Sequence, residues 1–188
     1  MLRPTVFLIG GLSRVGKDTL ADRIASLTGA RKLAFADSLK AAGNRYFTSL
    51  GIESVDLTQD ADKVKYRELL VAMGKAARAV EVDIFARHCA EYARYSILSG
   101  RSVVIPDWRY LNELSVLTRI VAPAKGVSVL LHRMGAQPAN AEEAHSIEQI
   151  ERNLTADVVR SFDSGDINGI DDLAHDLVRQ YCPSVPAA

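Results

Sequence analysis

Short apolar runs alternate with longer stretches of helical periodicity along this chain. Thr5-Val6-Phe7-Leu8-Ile9 predicts a first strand, and the residues from Thr19 to Ala25 then repeat their apolar positions at helical spacing. Lys32-Leu33-Ala34-Phe35 predicts a short second strand, after which Asp37 caps a helix that starts near Ser38 and ends at Gly51. Residues 53–62 are polar and predict a loop, while Lys63 to Met73 and Asp83 to Leu98 predict helices. Ser102-Val103-Val104-Ile105-Pro106, bounded by Asp107, predicts a buried parallel strand. Two more strands are predicted over Val127 to Leu131 and Ala156 to Val159, with helices over Leu111 to Ile120 and Ile170 to Tyr181. This alternation predicts an α/β domain built on a parallel sheet of about five strands, helices on both faces and ligands at the carboxyl ends of the strands.

The connection between the first strand and first helix carries the most specific chemistry. Gly10-Gly11-Leu12-Ser13-Arg14-Val15-Gly16-Lys17-Asp18-Thr19 gives the strand, glycine loop, helix order of a phosphate-binding P-loop. Loop amides from Gly11, Ser13, Arg14, Val15 and Gly16, with the positive end of the helix dipole, suit polyphosphate oxygens. The Lys17 ammonium suits the β- and γ-phosphates. Asp18 separates the lysine from Thr19, a Gly-Lys-x-Thr version common among nucleotide kinases, so the expected ligands are ATP and Mg²⁺. The competing reading is a glycine turn that only lets strand and helix pack.

Other candidates fall at predicted strand ends. Asp107 is placed to orient Mg²⁺, with helix capping as the alternative, and Arg109 to clamp a phosphoryl oxygen, with an exposed ion pair as the alternative. Arg14 suits a charge-neutralising role over the γ-phosphate, and Asp18 and Thr19 are further metal candidates. Asp37 is expected to face the group that receives the phosphate, serving as a base if that group is an alcohol, or else to cap the Ser38 helix. Lys40, Arg67, Arg78 and Arg87 are candidate anion contacts, and Arg133 is expected near the nucleotide. The polar segment from Gln137 to His145 reads as a covering loop.

The chain of 188 residues, 48% of them hydrophobic, is long enough for one well-buried domain. Its 23 basic residues equal its 23 acidic ones, so no global basic field announces a nucleic-acid partner. Cys89 and Cys182 form neither a metal-ligand spacing nor a disulfide framework. Met1 to Pro4 leads straight into the first strand, and no apolar stretch approaches a membrane span, so a cytoplasmic location is expected.

Taken together, Gly11 to Thr19, Phe35-Ala36-Asp37-Ser38-Leu39-Lys40, Arg67-Glu68-Leu69-Leu70 with Gly74, Ile105 to Glu113, and His145-Ser146-Ile147-Glu148 resemble the bacteriophage deoxynucleoside monophosphate kinase family and related phage P-loop kinases. The matches are collinear and span most of the chain. The resemblance implies a P-loop kinase fold of the nucleotide-kinase type over residues 1–182, with a helical acceptor-side insert around 38–98, a lid-like segment around 134–150 and a flexible tail over 183–188. It implies ATP-dependent phosphorylation either of 5-hydroxymethyluracil within DNA, a step in thymidine hypermodification, or of a free deoxynucleoside monophosphate. The DNA-base reading is taken first, because the chain looks short for enclosing a free nucleotide and Asp37 suits an alcohol. A non-catalytic nucleotide switch is the remaining alternative. A phage origin would place the protein in host cytoplasm, without membrane partners, and a homodimer is left open.

Overall fold

The computed structural model describes residues 4–182, and the tail predicted over 183–188 lies outside them. Five parallel strands form one sheet: β1 (Thr5–Gly10), β2 (Arg31–Lys32), β3 (Val103–Trp108), β4 (Lys125–Arg133) and β5 (Val158–Phe162), in the order β2-β3-β1-β4-β5. Every residue of β1 is buried, which is why its sequence is a continuous apolar run rather than an alternation.

Successive β1 side chains serve two separate cores. Val6 and Leu8 join Val103 and Ile105 beneath α5 (Ile84–Leu98) and α6 (Leu111–Val121). Phe7 and Ile9 join Val127, Val129 and Leu131 beneath α1 (Lys17–Thr28) and α8 (Ile167–Tyr181). Ala86, Ala90 and Ala93 put small side chains on the buried face of α5, which allows the close approach of α6. Among the described residues no helix is long and apolar enough to cross a membrane.

The helices between β2 and β3 differ from the sequence expectation in their breaks. After α2 (Asp37–Ser49), a short α3 (Asp60–Lys65) occupies part of the predicted loop, and α4 (Arg67–Val80) continues seven residues beyond Met73. Tyr66 divides them, its ring packed on Phe47 with centroids 4.9 Å apart.

Strand β2 also stops early. The Leu33 amide still donates to the Val104 carbonyl, but the Phe35 and Ala36 amides turn to the Asp107 carboxylate, so strand pairing ends there. Asp107 itself lies within β3 rather than after it.

The segment that reads as a covering loop runs from Ala141 onward into a helix, α7 (Ala141–Asn153). Its frequent Glu and Gln residues mask a narrow apolar stripe, of which Ile147 and Ile150 are buried. Asn140 caps it by accepting from the Glu143 amide at 2.9 Å, and Glu143 reaches back to accept the Ala139 amide at 2.7 Å.

Candidate active site

The loop between β1 and α1 is shaped to receive an anion. Gly11 has φ 132°, and a Cβ there would run into the Leu131 carbonyl of β4. Gly16 has φ 101° and caps α1 without any side-chain hydrogen bond. Among the described residues no backbone carbonyl accepts from the amides of Arg14 to Thr19, so the first turn of α1 presents open donors where α7 and α8 have the capping side chains of Asn140 and Asp166. Arg14 adopts φ 62°, the left-handed conformation that turns successive amides to one side. Val15 is buried beneath the loop, whereas Ser13 and Arg14 are exposed. These open amides fit polyphosphate oxygens.

Lys17 lies at the centre of this loop, its Nζ donating to the Gly11 carbonyl at 2.9 Å and the Leu12 carbonyl at 2.5 Å. Burial lowers its pKa, Arg109 lowers it further, and Glu143, Asp18 and Asp107 oppose the fall. A phosphate would relieve the same unfavourable burial of charge. Thr19 is half-buried in the first turn, where its hydroxyl suits a metal bound alongside phosphate oxygens. No cluster of three or more His, Cys, Asp or Glu able to hold a metal exists among the described residues.

Beside the loop lies a cavity of about 360 Å³, walled by α2, α4, β3 and the start of α7. Five basic side chains line it: Lys40, Arg67, Lys75, Arg78 and Arg109. Arg67, Lys75 and Arg109 have no acidic partner among the described residues, while Lys40 pairs with Asp37 at 3.2 Å. The Arg78 guanidinium lies 4.9 Å from the Phe85 ring centroid and 4.7 Å from that of Tyr110, a sandwich that fixes its position by cation–π attraction. Tyr110 also donates to Glu142 at 3.0 Å, tying α7 to the cavity wall.

Asp107 and Arg109 link the cavity to the loop, since both line the cavity and both act electrostatically on Lys17. Asp107 holds the β2–α2 connection through both oxygens, which accept from Phe35 at 3.1 Å and Ala36 at 3.3 Å. Burial raises its pKa, the two amides and Arg109 counteract that rise, and Asp37 adds to it. Both oxygens of this carboxylate thus hold the β2–α2 connection in place beside the basic cavity.

The structure places three other expected site residues as follows. Asp37 does not line this cavity: its carboxylate accepts the Ala34 amide at 2.8 Å, and it lines a different cleft of about 280 Å³ with Ser38 and Cys89. It is the first residue of α2 and serves the local turn rather than lining the basic cavity. Asp18 is highly exposed and pairs with Lys32 on β2 at 3.3 Å. Arg133 spends a donor on the Arg14 carbonyl at 2.8 Å, bracing the loop backbone.

Arg87, an expected anion contact, instead forms a two-pronged pair with Glu81. The helical pattern that predicts an end at Met73 leaves out Lys75, and the polar character of residues 137–145 hides Glu143. The Asn140-x-x-Glu143 capping pattern was the available signal for the second.

Neither a family model nor a curated protein matches the chain. Solved structures do. Dephospho-CoA kinase from Campylobacter jejuni is 12% identical, with 97% of this chain and 100% of that chain covered and a TM-score of 0.55. A sugar kinase from Janibacter sp. HTCC2649 is 16% identical, with coverage of 94% and 95% and a TM-score of 0.53. The APS kinase CysC of Mycobacterium tuberculosis, in complex with AMPPNP and APS, is 14% identical, with coverage of 94% and 96% and a TM-score of 0.52. The fold is that of the P-loop kinases. At these identities the likeness concerns the fold, and the chemistry of the site rests on this chain's own residues.

Proposed function

We propose that this protein is an ATP-dependent phosphotransferase acting on a phosphate-bearing nucleotide, with a free deoxynucleoside monophosphate as the favoured acceptor. The observation that carries this reading is the basic cavity, whose wall residues Asp107 and Arg109 act electrostatically on Lys17. The whole chain has no net charge, yet five basic side chains gather where an acceptor would sit. Of the acidic residues there, Glu113 is held neutral at pH 7 by burial. A phosphate on the acceptor complements that excess, and the neutral chain offers no comparable charge excess for a nucleic-acid backbone.

The open amides of residues 14–19 and Lys17 would hold the triphosphate, whose terminal phosphoryl is the group transferred. Mg²⁺, held by Thr19 and phosphate oxygens, would neutralise charge on that group. Arg109 stands between loop and cavity and stabilises charge on the phosphoryl as it passes. Arg133 preserves the loop conformation by holding Arg14, and Arg14 itself extends a guanidinium that has no acidic partner among the described residues. A monophosphate acceptor is already a nucleophile and needs no base.

The second reading, phosphorylation of 5-hydroxymethyluracil in DNA, is favoured by Asp107. Its carboxylate lines the cavity, and its raised pKa makes it a better proton acceptor for an alcohol. Incubation with γ-labelled ATP separates the readings. Label on free monophosphates supports the first, label confined to hydroxymethyluracil DNA supports the second, and label on neither removes the transferase reading in favour of a nucleotide-binding switch.

A further inference from the structure

Glu113, in the first turn of α6, is a buried carboxyl that the proposed transfer chemistry does not use. It is only 3% exposed, yet it lines the basic cavity. Its Oε2 accepts two amides, from Arg109 at 2.8 Å and Tyr110 at 3.0 Å, which occupies both lone pairs of that oxygen. Its Oε1 has no hydrogen-bond partner among the described residues. Oε1 is the part of this otherwise buried side chain that the cavity reaches, so a polar atom without a protein partner is left to be satisfied by what enters the cavity.

We propose that Glu113 reads the acceptor: Oε1 carries the carboxylic proton and donates it in a hydrogen bond to an uncharged oxygen of the bound nucleotide, a base carbonyl or a sugar hydroxyl. This assignment rests on the reading of the cavity as the acceptor site. The oxygen inventory places the proton, because Oε2 has no lone pair left to bear it. The surroundings keep it there. Burial is the largest influence; Asp107 of β3 also opposes ionisation, and Arg78 of α4 and the two amides favour it. Cys89 of α5 and Tyr110 feel the same carboxyl, and Glu142 of α7 faces it across the Tyr110 hydroxyl. The balance sets the Glu113 pKa at about 8.

Binding should therefore weaken as the donor is lost. Between pH 7 and pH 9 the protonated fraction falls about tenfold, and affinity falls with the fraction of binding-competent protein. Phosphate ionisation, centred near pH 6, contributes little across that interval. The test is calorimetric titration of the full chain with thymidine monophosphate and, separately, with a hydroxymethyluracil oligonucleotide at both pH values. Wild type should lose about tenfold in affinity for the probe it binds. Glu113→Gln keeps an oxygen for the two amides and places an amide donor where Oε1 stood, so it should lose less than twofold.

A flat wild-type profile, an equal loss in Glu113→Gln, or failure of both probes to bind would overturn the proposal. Should Glu113→Gln not fold, infrared difference spectra of wild type decide: a protonated-carboxyl band that shifts on adding the bound probe at pH 7 and is absent at pH 9 supports it, and no shift refutes it. PH-dependent binding without any transfer of label would overturn the phosphotransferase reading while leaving Glu113 as the acceptor-reading group.

Discussion

Replacing Glu113 by Gln should change how folding stability depends on pH, independently of any ligand. In the unfolded chain the carboxyl ionises around its ordinary value of 4.5, whereas in the folded protein burial holds it protonated to about 8. Below 4.5 both states carry the proton, and its contribution is fully present. Between those values the unfolded chain has released the proton and the folded protein has not, so each rise in pH favours unfolding. Above about 8 both have released it and no further loss occurs.

At about 1.4 kcal/mol for each pH unit across that gap, wild type should lose up to about 5 kcal/mol relative to Glu113→Gln. The variant keeps the two amide acceptances and the side-chain volume, so the difference isolates the proton. Urea unfolding of both proteins at pH 5, 6, 7, 8 and 9 gives the measurement. The difference between their unfolding free energies should grow steadily in favour of the variant up to about pH 8 and then level. A constant difference across the series would refute the argument that burial, and not local hydrogen bonding, governs this carboxyl.

Asp37→Asn should leave turnover within about twofold of wild type and cost no more than about 1 kcal/mol in stability, because the side chain serves an exposed turn and an i,i+3 ion pair; a tenfold fall in kcat would return it to the site. Gly11→Ala should weaken ATP binding severely or prevent folding, since the added methyl meets the backbone carbonyl of Leu131, which has no room to give; ATP titration together with thermal melting checks this. Arg133→Ala, by releasing the Arg14 carbonyl, should raise the KM for ATP by about tenfold through loss of a charged hydrogen bond, with little change in the acceptor KM.

Residues of one local segment were legible in the sequence. The P-loop announces itself because its glycines, lysine and threonine act within ten consecutive positions, and the apolar runs of β1, β3 and β4 are long enough to specify buried strands. Sequence alone leaves the choice open where a local pattern has two physical solutions. A carboxylate after the second strand can face an acceptor or close its own turn, and Asp37 does the latter through Ala34. A polar stretch can be a loop or a helix that buries a narrow stripe, and α7 is the latter, held by Asn140 and Ile150.

By itself, then, the sequence determined the α/β alternation and the phosphate loop, because hydrophobic periodicity and glycine spacing are set between near neighbours. Only the tertiary structure assembled the basic cavity. The sheet order places β3 next to β1, and that adjacency brings Asp107 and Arg109 to Lys17, some ninety residues away in the chain. The same packing collects basic side chains from α2 and α4 around one cavity and buries Glu113 beside them, giving charges that look ordinary one by one a shared field and a shifted proton affinity.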